Sequence, residues 1–474
     1  MRGVVIAIAM AAMLPIAAKA DELTDMKAAL ESATKSIQAL QKRVQALEAE
    51  KAQAAAESKV PRKMKSAATP VVKAPPPEPA ALGAPVVAPE LKPVNLVPDV
   101  NKARLEIHGA VQLDAIYDLN KVDPNWEGTL RPSKIPVECP PVGTDPGCGK
   151  NGVTNFNVRA TNLDIKGFLP TDMGEVKTEL AFDLWGGADQ GQVRFRLTQA
   201  WGSFGPYLFG YTNSLFMDGD VFPNTIDFWG PSGMMFLRDP QIRWTPYDQG
   251  GLKLAVALED PEAAIDEGKL DNDIAPNLNV VATSRYPDIT GQVRAYGPWG
   301  HVQLAGVARW ISFDNPTGIG GNPANTIFGW GGNLTTKIKT FGDDAIKGQI
   351  AYGNGIAAYS NDCCLDLAPN VPVTIGGPLP HAEALPLLNW LVYYDHWWSK
   401  QWSSSIGFSQ NRQTNSAGEL DTDQHLGSYA SANLLFYPMQ NVMVGVEALW
   451  GERININGAM GQDQRIQFST RVKF

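Results

Sequence analysis

Arginine recurs at alternate positions of short segments in this sequence, and a guanidinium fork is well shaped to grip a carboxylate through two parallel hydrogen bonds. Arg194 and Arg196 lie in "QVRFRLTQAW", and Arg238 and Arg243 in "RDPQIRWTP". Arg159, Arg294 and Arg309 occur singly in other segments of the same texture. Anion binding is the chemistry this set points to. Bond-making chemistry has no comparable support. The five histidines (His108, His301, His381, His396 and His425) form no H-E-x-x-H pair, and none stands beside a G-x-S-x-G elbow. The glycines of "GIGGN" at 318–322 precede no helical pattern, so they make no nucleotide loop. No enzyme, cofactor or metal site is expected, and a net charge of −9 argues against a nucleic-acid partner.

The arginines sit in stretches of about ten residues that alternate apolar and polar. "EIHGAVQLDAIY" sets Ile107, Val111, Leu113 and Tyr117 against Glu106, His108, Gln112 and Asp114. "VKTELAFDLW", "HVQLAGVARW", "GNLTTKIKT", "AIKGQIAYG", "YASANLLFY" and "NVMVGVEALW" repeat the scheme. The chain ends on it as well, in "RIQFSTRVKF". Successive side chains of a strand point to opposite faces, so each segment is apolar on one side and polar on the other.

Connections decide where such strands can live. Short turns at "LPTDMG", "FGP", "YDQGG", "GPWG", "FGDD", "WSKQ" and "YPMQ" alternate with long loops such as 120–153, 214–233, 261–287, 354–385 and 412–426. Seven turns and eight loops imply sixteen strands with both ends on the turn side, the pattern of a transmembrane barrel. The predicted fold is all-β: a 16-stranded antiparallel transmembrane β-barrel over 104–474, preceded by an α-helical coiled coil. Trp397, Trp398, Trp402, Phe436 and Tyr437 cluster where strands meet turns, as an interfacial girdle requires.

Before the barrel, residues 1–20 carry Arg2, an apolar run and an Ala18-Lys19-Ala20 ending, and read as a secretory signal peptide. Residues 21–51 place Leu23, Leu30, Ile37 and Val44 on one heptad position and Met26, Ala33, Leu40 and Leu47 on the next, a coiled-coil seam that calls for another copy of the chain. Residues 52–103, rich in Ala and Pro, read as an extended linker whose lysines could touch a cell-wall polymer. The expected location is the bacterial outer membrane, with the N-terminal segment periplasmic. Four cysteines suit an oxidising compartment. They allow three connectivities, with Cys139 and Cys148, which bracket "CPPVGTDPGC", taken as the candidate disulfide.

Several stretches resemble the DcaP-like outer-membrane porins: "GAVQLDAIYDLN", "RLTQAWGSFGPYLFGYTNSLFMD", "PNTIDFWGP", "RDPQIRWTP", "GHVQLAGVARWISFD", "YASANLLFYP" and "RIQFSTRVKF". The resemblance spans nearly all of 104–474. It implies a homotrimeric porin with a coiled coil and linker ahead of each barrel, embedded in outer-membrane lipid. It also implies uptake of small anionic solutes such as dicarboxylates, and a C-terminal aromatic, here Phe474, read by the barrel assembly machinery. A general, non-selective diffusion porin that also tethers the envelope is the alternative.

On this reading the polar faces line a lumen in which cations outnumber acids, Glu106, Asp114, Glu179, Asp183 and Glu447 being the clearest of the latter. The aromatic third loop, "SLFMDGDVFPNTIDFWGPSG", is expected to fold inward and set Asp218, Asp220 or Asp227 opposite Arg194, Arg196, Arg238 and Arg243.

Overall fold

The computed structural model describes residues 103–139, 146–172, 174–186, 193–263, 281–283, 285–314, 325–370 and 381–474. The expected signal peptide, coiled coil and all of the linker but Ala103 lie outside them. No described helix is long and apolar enough to cross a membrane. The crossings are made by strands.

In chain order they are β1 (Arg104–Asp118), β2 in two pieces (Val153–Asn157 and Asn162–Thr171), β3 (Gly174–Asp183), β4 (Arg196–Phe204), β5 (Tyr207–Asn213), β6 (Arg238–Gln249), β7 (Leu252–Glu259) and β8, also in two pieces (Val281–Thr283 and Asp288–Gly297). There follow β9 (Gly300–Asp314), β10 (Asn325–Lys339), β11 (Ala345–Asn354), β12 (Pro386–Trp397), β13 (Trp402–Gln413), β14 (Gln424–Met439), β15 (Val442–Asn455) and β16 (Met460–Lys473). Each pairs antiparallel with the next, and β1 pairs with β16 from Ala110↔Lys473 to Asp118↔Arg465, so the sheet closes on itself. Sixteen strands are what the turn-and-loop arithmetic predicts, and all seven short turns fall where the sequence places them. Closure leaves no sheet edge to be satisfied by lipid, which is the condition for a β-structure to span a bilayer.

The alternation sets the two faces. On β16, Ile466, Phe468 and Val472 point outward, whereas Arg465, Gln467 and Ser469 are buried on the inside. The short turns are built from residues that tolerate their geometry. Gly250 and Gly251, between β6 and β7, both have positive φ (61° and 81°), as the two central positions of a type I′ hairpin demand. Phe474 reaches past the end of β16 to exchange two backbone hydrogen bonds with Gly109, each 3.1 Å. The chain's last residue is thereby part of the closing seam.

Two readings of side-chain direction need correcting. Trp398, Trp402 and Phe436 belong to the outward rim, with Trp402 and Phe436 centred 4.6 Å apart. Trp397 and Tyr437, grouped with them on sequence, instead stack on each other at 5.5 Å, and the Tyr437 hydroxyl meets Asn224 of the third loop inside the barrel. Adjacent residues of a strand face opposite sides, so a cluster in sequence is split between faces. The alternation in β4 also breaks: a register shift at Ala181/Phe182 leaves Thr198 as a bulge, and Gln199 and Trp201 share the inner face with Arg196.

One short turn carries its own acid staple. Asp344 accepts from the Tyr394 hydroxyl (2.5 Å), His396 Nδ1 (2.7 Å) and the Trp397 backbone N–H (2.8 Å). Those donors, Tyr394 foremost, then Trp397 and His396, hold its carboxyl down to about 2, against an ordinary 3.8. A depressed carboxyl stabilises the fold above its unfolded value and loses that contribution as pH falls through the folded one. Asp344→Ala is therefore expected to cost stability at neutral pH but none below about pH 2, a difference that unfolding curves of both proteins against pH will measure.

Candidate functional site

The third loop, residues 214–237, does not stand in solvent. It lies along the inner wall, held by side chains that reach inward from one strand after another. Gln303 donates to Met217 O (3.2 Å), Asn333 to Phe216 O (2.7 Å), Gln349 to Gly233 O (3.0 Å), Asn411 to Ser232 O (3.1 Å), Asn433 to Asn224 O (2.8 Å) and Gln467 to Ile226 O (3.2 Å). Lys347 donates to Phe222 O (2.6 Å). These donors satisfy backbone carbonyls that a buried loop would otherwise leave without partners. In sequence, the usable sign is neutral amides at inward positions, where a water-washed wall would favour charge.

Carboxylates anchor the same loop. Glu447 accepts from the N–H groups of Ile226 (2.6 Å) and Asp227 (3.0 Å). Glu259 accepts from Ser214 Oγ (2.7 Å), Leu215 N (2.9 Å) and Thr290 Oγ1 (2.6 Å). The inner wall carries more acids than the segment patterns suggest, since Asp118, Asp239, Glu259, Asp288, Asp395 and Asp463 are also buried there. Many serve to hold loops, a role invisible until the loops are seen folded inward.

A second loop enters as well. Ile356, Ala357 and Tyr359 pack with Phe216, Met235 and Leu237 of the third loop on Ala305, Val307, Ala351 and Leu387 of the wall. This apolar plug accounts for two of the inward apolar residues of β9, Ala305 and Val307, while Ile311 and Phe313 pack on Leu367. The plug fills the side of the barrel built by β9 to β12, and Leu215 of the third loop packs on Ala255 and Ala257 of β7.

The arginines separate accordingly. Arg309 is 1% exposed, its guanidinium spent on Asp288 (2.7 Å), Asp366 (2.9 Å), Gly355 O (2.7 Å) and Glu262 O. Arg465 is 1% exposed and bidentate to Asp118, at 2.5 and 3.1 Å. Arg159 is buried with its guanidinium 5.1 Å above Trp185, and Arg194 is exposed at the loop side of β4. Removing one member of a buried ion cluster strands the others at about 3–5 kcal/mol. Arg309→Ala is expected to lose stability on that scale in urea while leaving the ion preference of the pore unchanged.

On β4, Arg196 forks Asp183 (3.0 and 2.5 Å) and lies 5.4 Å from the Phe228 ring. Arg238 donates to Asn213 Oδ1 (3.0 Å) and lies 4.7 Å from the Phe236 ring. Arg243 donates to Gln241 Oε1 (3.1 and 2.7 Å) and Asn213 O (2.5 Å). Among the described residues, neither Arg238 nor Arg243 has an ion-pair partner. Nearer the turns, Arg294, opposite Lys253 in register, binds Asp218 (3.3 Å) and Asp220. Asp218 is fixed further by His301 Nε2 (2.7 Å) and Thr335 Oγ1 (2.6 Å). The loop acids thus meet Arg294 and His301 rather than Arg194, Arg196, Arg238 and Arg243, while Asp227 lies 3.9 Å from Arg465.

Between the third loop and β4/β6 lies a cavity of about 190 Å3. It is lined by Arg196, Arg238, the rings of Phe222, Phe228, Trp229 and Phe236, and by Met234 and Asn361. The lining has two guanidinium groups and no carboxylate.

A family profile described as DcaP outer membrane protein matches residues 92–474. The chain belongs to the DcaP outer membrane protein family. The crystal structure of the outer membrane channel DcaP of Acinetobacter baumannii superposes on it with a TM-score of 0.64 at 17% identity, covering 80% of this chain and 99% of that one. Salmonella typhi OmpF, solved with daunomycin, gives a TM-score of 0.49 at 11% identity over 78% of this chain and 97% of its own. No curated protein sequence matches. Membership of the DcaP family places the barrel in the bacterial outer membrane. The apolar outer face described above is then its lipid-facing surface. The Cys139–Cys148 pair forms a disulfide in the first loop, and Cys363–Cys364 a second in the sixth.

Proposed function

We propose that this chain is an outer-membrane porin for passive uptake of small hydrophilic anions, carboxylates above all, through a lumen whose narrow zone is lined by arginine. The observation that carries the reading is the cavity holding Arg196 and Arg238 without a carboxylate in its lining. Rings or ladders of Arg and Lys favour anions in a pore, and the aromatic rims lower local polarity and strengthen each charge. Arg243 and Arg294 extend the cationic wall toward the turns, with Asp218 and Asp220 on the facing loop to orient a polar solute. Arg159 and Arg309 serve the fold in this reading. A homotrimer with a periplasmic coiled coil is the proposed assembly, supported by the heptad seam at 23–47.

The non-selective alternative is favoured by one observation: Asp220, 55% exposed, and Asp183 stand beside Arg294 and Arg196 and offset part of their charge. The reversal potential of the purified protein in a planar bilayer under a potassium chloride gradient separates the two. An anion-selective potential is expected. A cation-selective or near-zero potential rejects anion uptake.

A further inference from the structure

The adjacent cysteines of the sixth loop have no part in the lumen reading, yet their surroundings are specific. Cys363 and Cys364 are half-buried and line a cavity of about 380 Å3 that also takes in Arg131, Lys134, Gln413 and Arg453. Glu419 and Asp423 border it too, but their carboxylates accept from the backbone N–H groups of Ser416 (2.6 Å) and Leu420 (2.7 Å). Lys134 has no ion-pair partner among the described residues. Burial first, then the neighbouring Arg131, pushes its ammonium down from its usual range. An anion arriving there would relieve both.

The disulfide sits in the middle of a heavily pinned segment. Asp362 holds Arg131 Nε (2.9 Å) and Ser133 N (2.9 Å), and Asn411 donates to Asp362 O (2.5 Å). Leu365 exchanges hydrogen bonds with the Gln413 side chain, at 3.2 and 2.6 Å. Asp366 accepts from Arg309 (2.9 Å). Between these pins Cys363 adopts φ 103°, a conformation L-residues other than glycine rarely take. Both cysteines pack against the plug formed with Phe216 and Met235, and Asn361 bonds directly to the third loop through Met234 O (2.9 Å), Trp229 O (2.8 Å) and Pro231 O (3.2 Å).

We propose that Cys363–Cys364 is a thiol-reactive site, open to small dithiols from the loop side, whose reduction loosens the plug and widens the lumen. A dithiol thiolate entering the cavity attacks one cysteine sulfur, forming a mixed disulfide and releasing the other cysteine as a thiolate, which the flanking cations stabilise. The second thiol of the reagent then displaces the remaining cysteine and closes a cyclic disulfide. Two electrons and two protons pass from the dithiol to the cysteines, and the reagent leaves oxidised. Freed of the bridge, Cys363 can leave positive φ, and the pinned segment shifts with it.

The test uses the full chain in a planar bilayer, with Cys139→Ser and Cys148→Ser so that one disulfide remains. Dithiothreitol added on the loop side is expected to raise single-channel conductance until the pair is re-oxidised; iodoacetamide added after the dithiothreitol is expected to alkylate both Cys363 and Cys364 and to hold the conductance at the raised value. Cys363→Ser with Cys364→Ser should start in the high-conductance form. Cys363→Gly with Cys364→Ser should keep the low one, because glycine accepts the backbone angle without a bridge. Absence of alkylation in the folded barrel, or alkylation with no change in current, overturns the proposal. The conductance arm rests on the porin reading. Alkylation does not, so a chain that reacts but carries no current would sink that reading and leave the thiol site standing.

Discussion

Arg196→Glu combined with Arg238→Glu is expected to lower the permeability ratio for chloride over potassium by about tenfold or more, reversing the proposed preference for anions. The argument starts from where the two guanidiniums are. Both line one cavity of about 190 Å3, beside the rings of Phe228 and Phe236 and without a carboxylate in the lining. Two unit charges 4 Å apart interact by about 4 kcal/mol at the effective dielectric of a protein surface, and tenfold corresponds to about 1.4 kcal/mol. Screening by permeating salt removes part of this, so the shift should grow as the bath is diluted. Arg196→Glu also sets a second acid against Asp183, its present partner at 3.0 and 2.5 Å. Arg238→Glu alone, which leaves that pair intact, should therefore give the cleaner half of the effect. Reversal potentials at two ionic strengths decide the matter. An unchanged sign and ratio in the double variant would mean that ions pass elsewhere in the lumen.

How much of this was legible before the fold was known depends on the kind of feature. Strand number, turn positions and the inward or outward sense of most residues follow from alternation, because a period of two is a direct consequence of strand geometry. That logic placed Gln112 and Asp114 inside and Leu113 and Val111 outside, as found. It failed where a single extra residue intervenes, as at Thr198. It failed too where neighbours were treated as a cluster, as with Trp397 and Trp398. Burial was harder still. Arg309 and Arg243 look alike in sequence, each on the polar face of an alternating strand. One is sealed beneath the sixth loop and the other is not, and only the path of residues 355–366 through the barrel distinguishes them. Loop paths are set by scattered contacts such as Asn333 to Phe216 and Asn411 to Ser232, pairs separated by more than a hundred residues that no local pattern relates.

The loop's tip offers the second large effect. Asp227→Ala is expected to release the third loop, raising single-channel conductance and lowering the stability of the barrel by upwards of about 3 kcal/mol. Asp227 is buried and accepts from Thr129 Oγ1 (2.9 Å), Leu130 N (3.0 Å), Gly230 N (3.0 Å) and Tyr429 Oη (3.2 Å). Each donor left buried without a partner costs about 1–3 kcal/mol. Alanine therefore strands four at once. Water would have to enter, and the tip of the loop would have to move to admit it. Arg465 survives the change because Asp118 still grips it, so the wall of β1 and β16 should hold while the loop does not. Asp227→Asn separates size from bonding. Its amide keeps one acceptor but turns a donor toward groups that already donate, so most of the loss should persist. Conductance and urea unfolding should move together in both variants. A stability loss with conductance unchanged would place the narrowest point of the pore away from the part of the third loop that Asp227 holds.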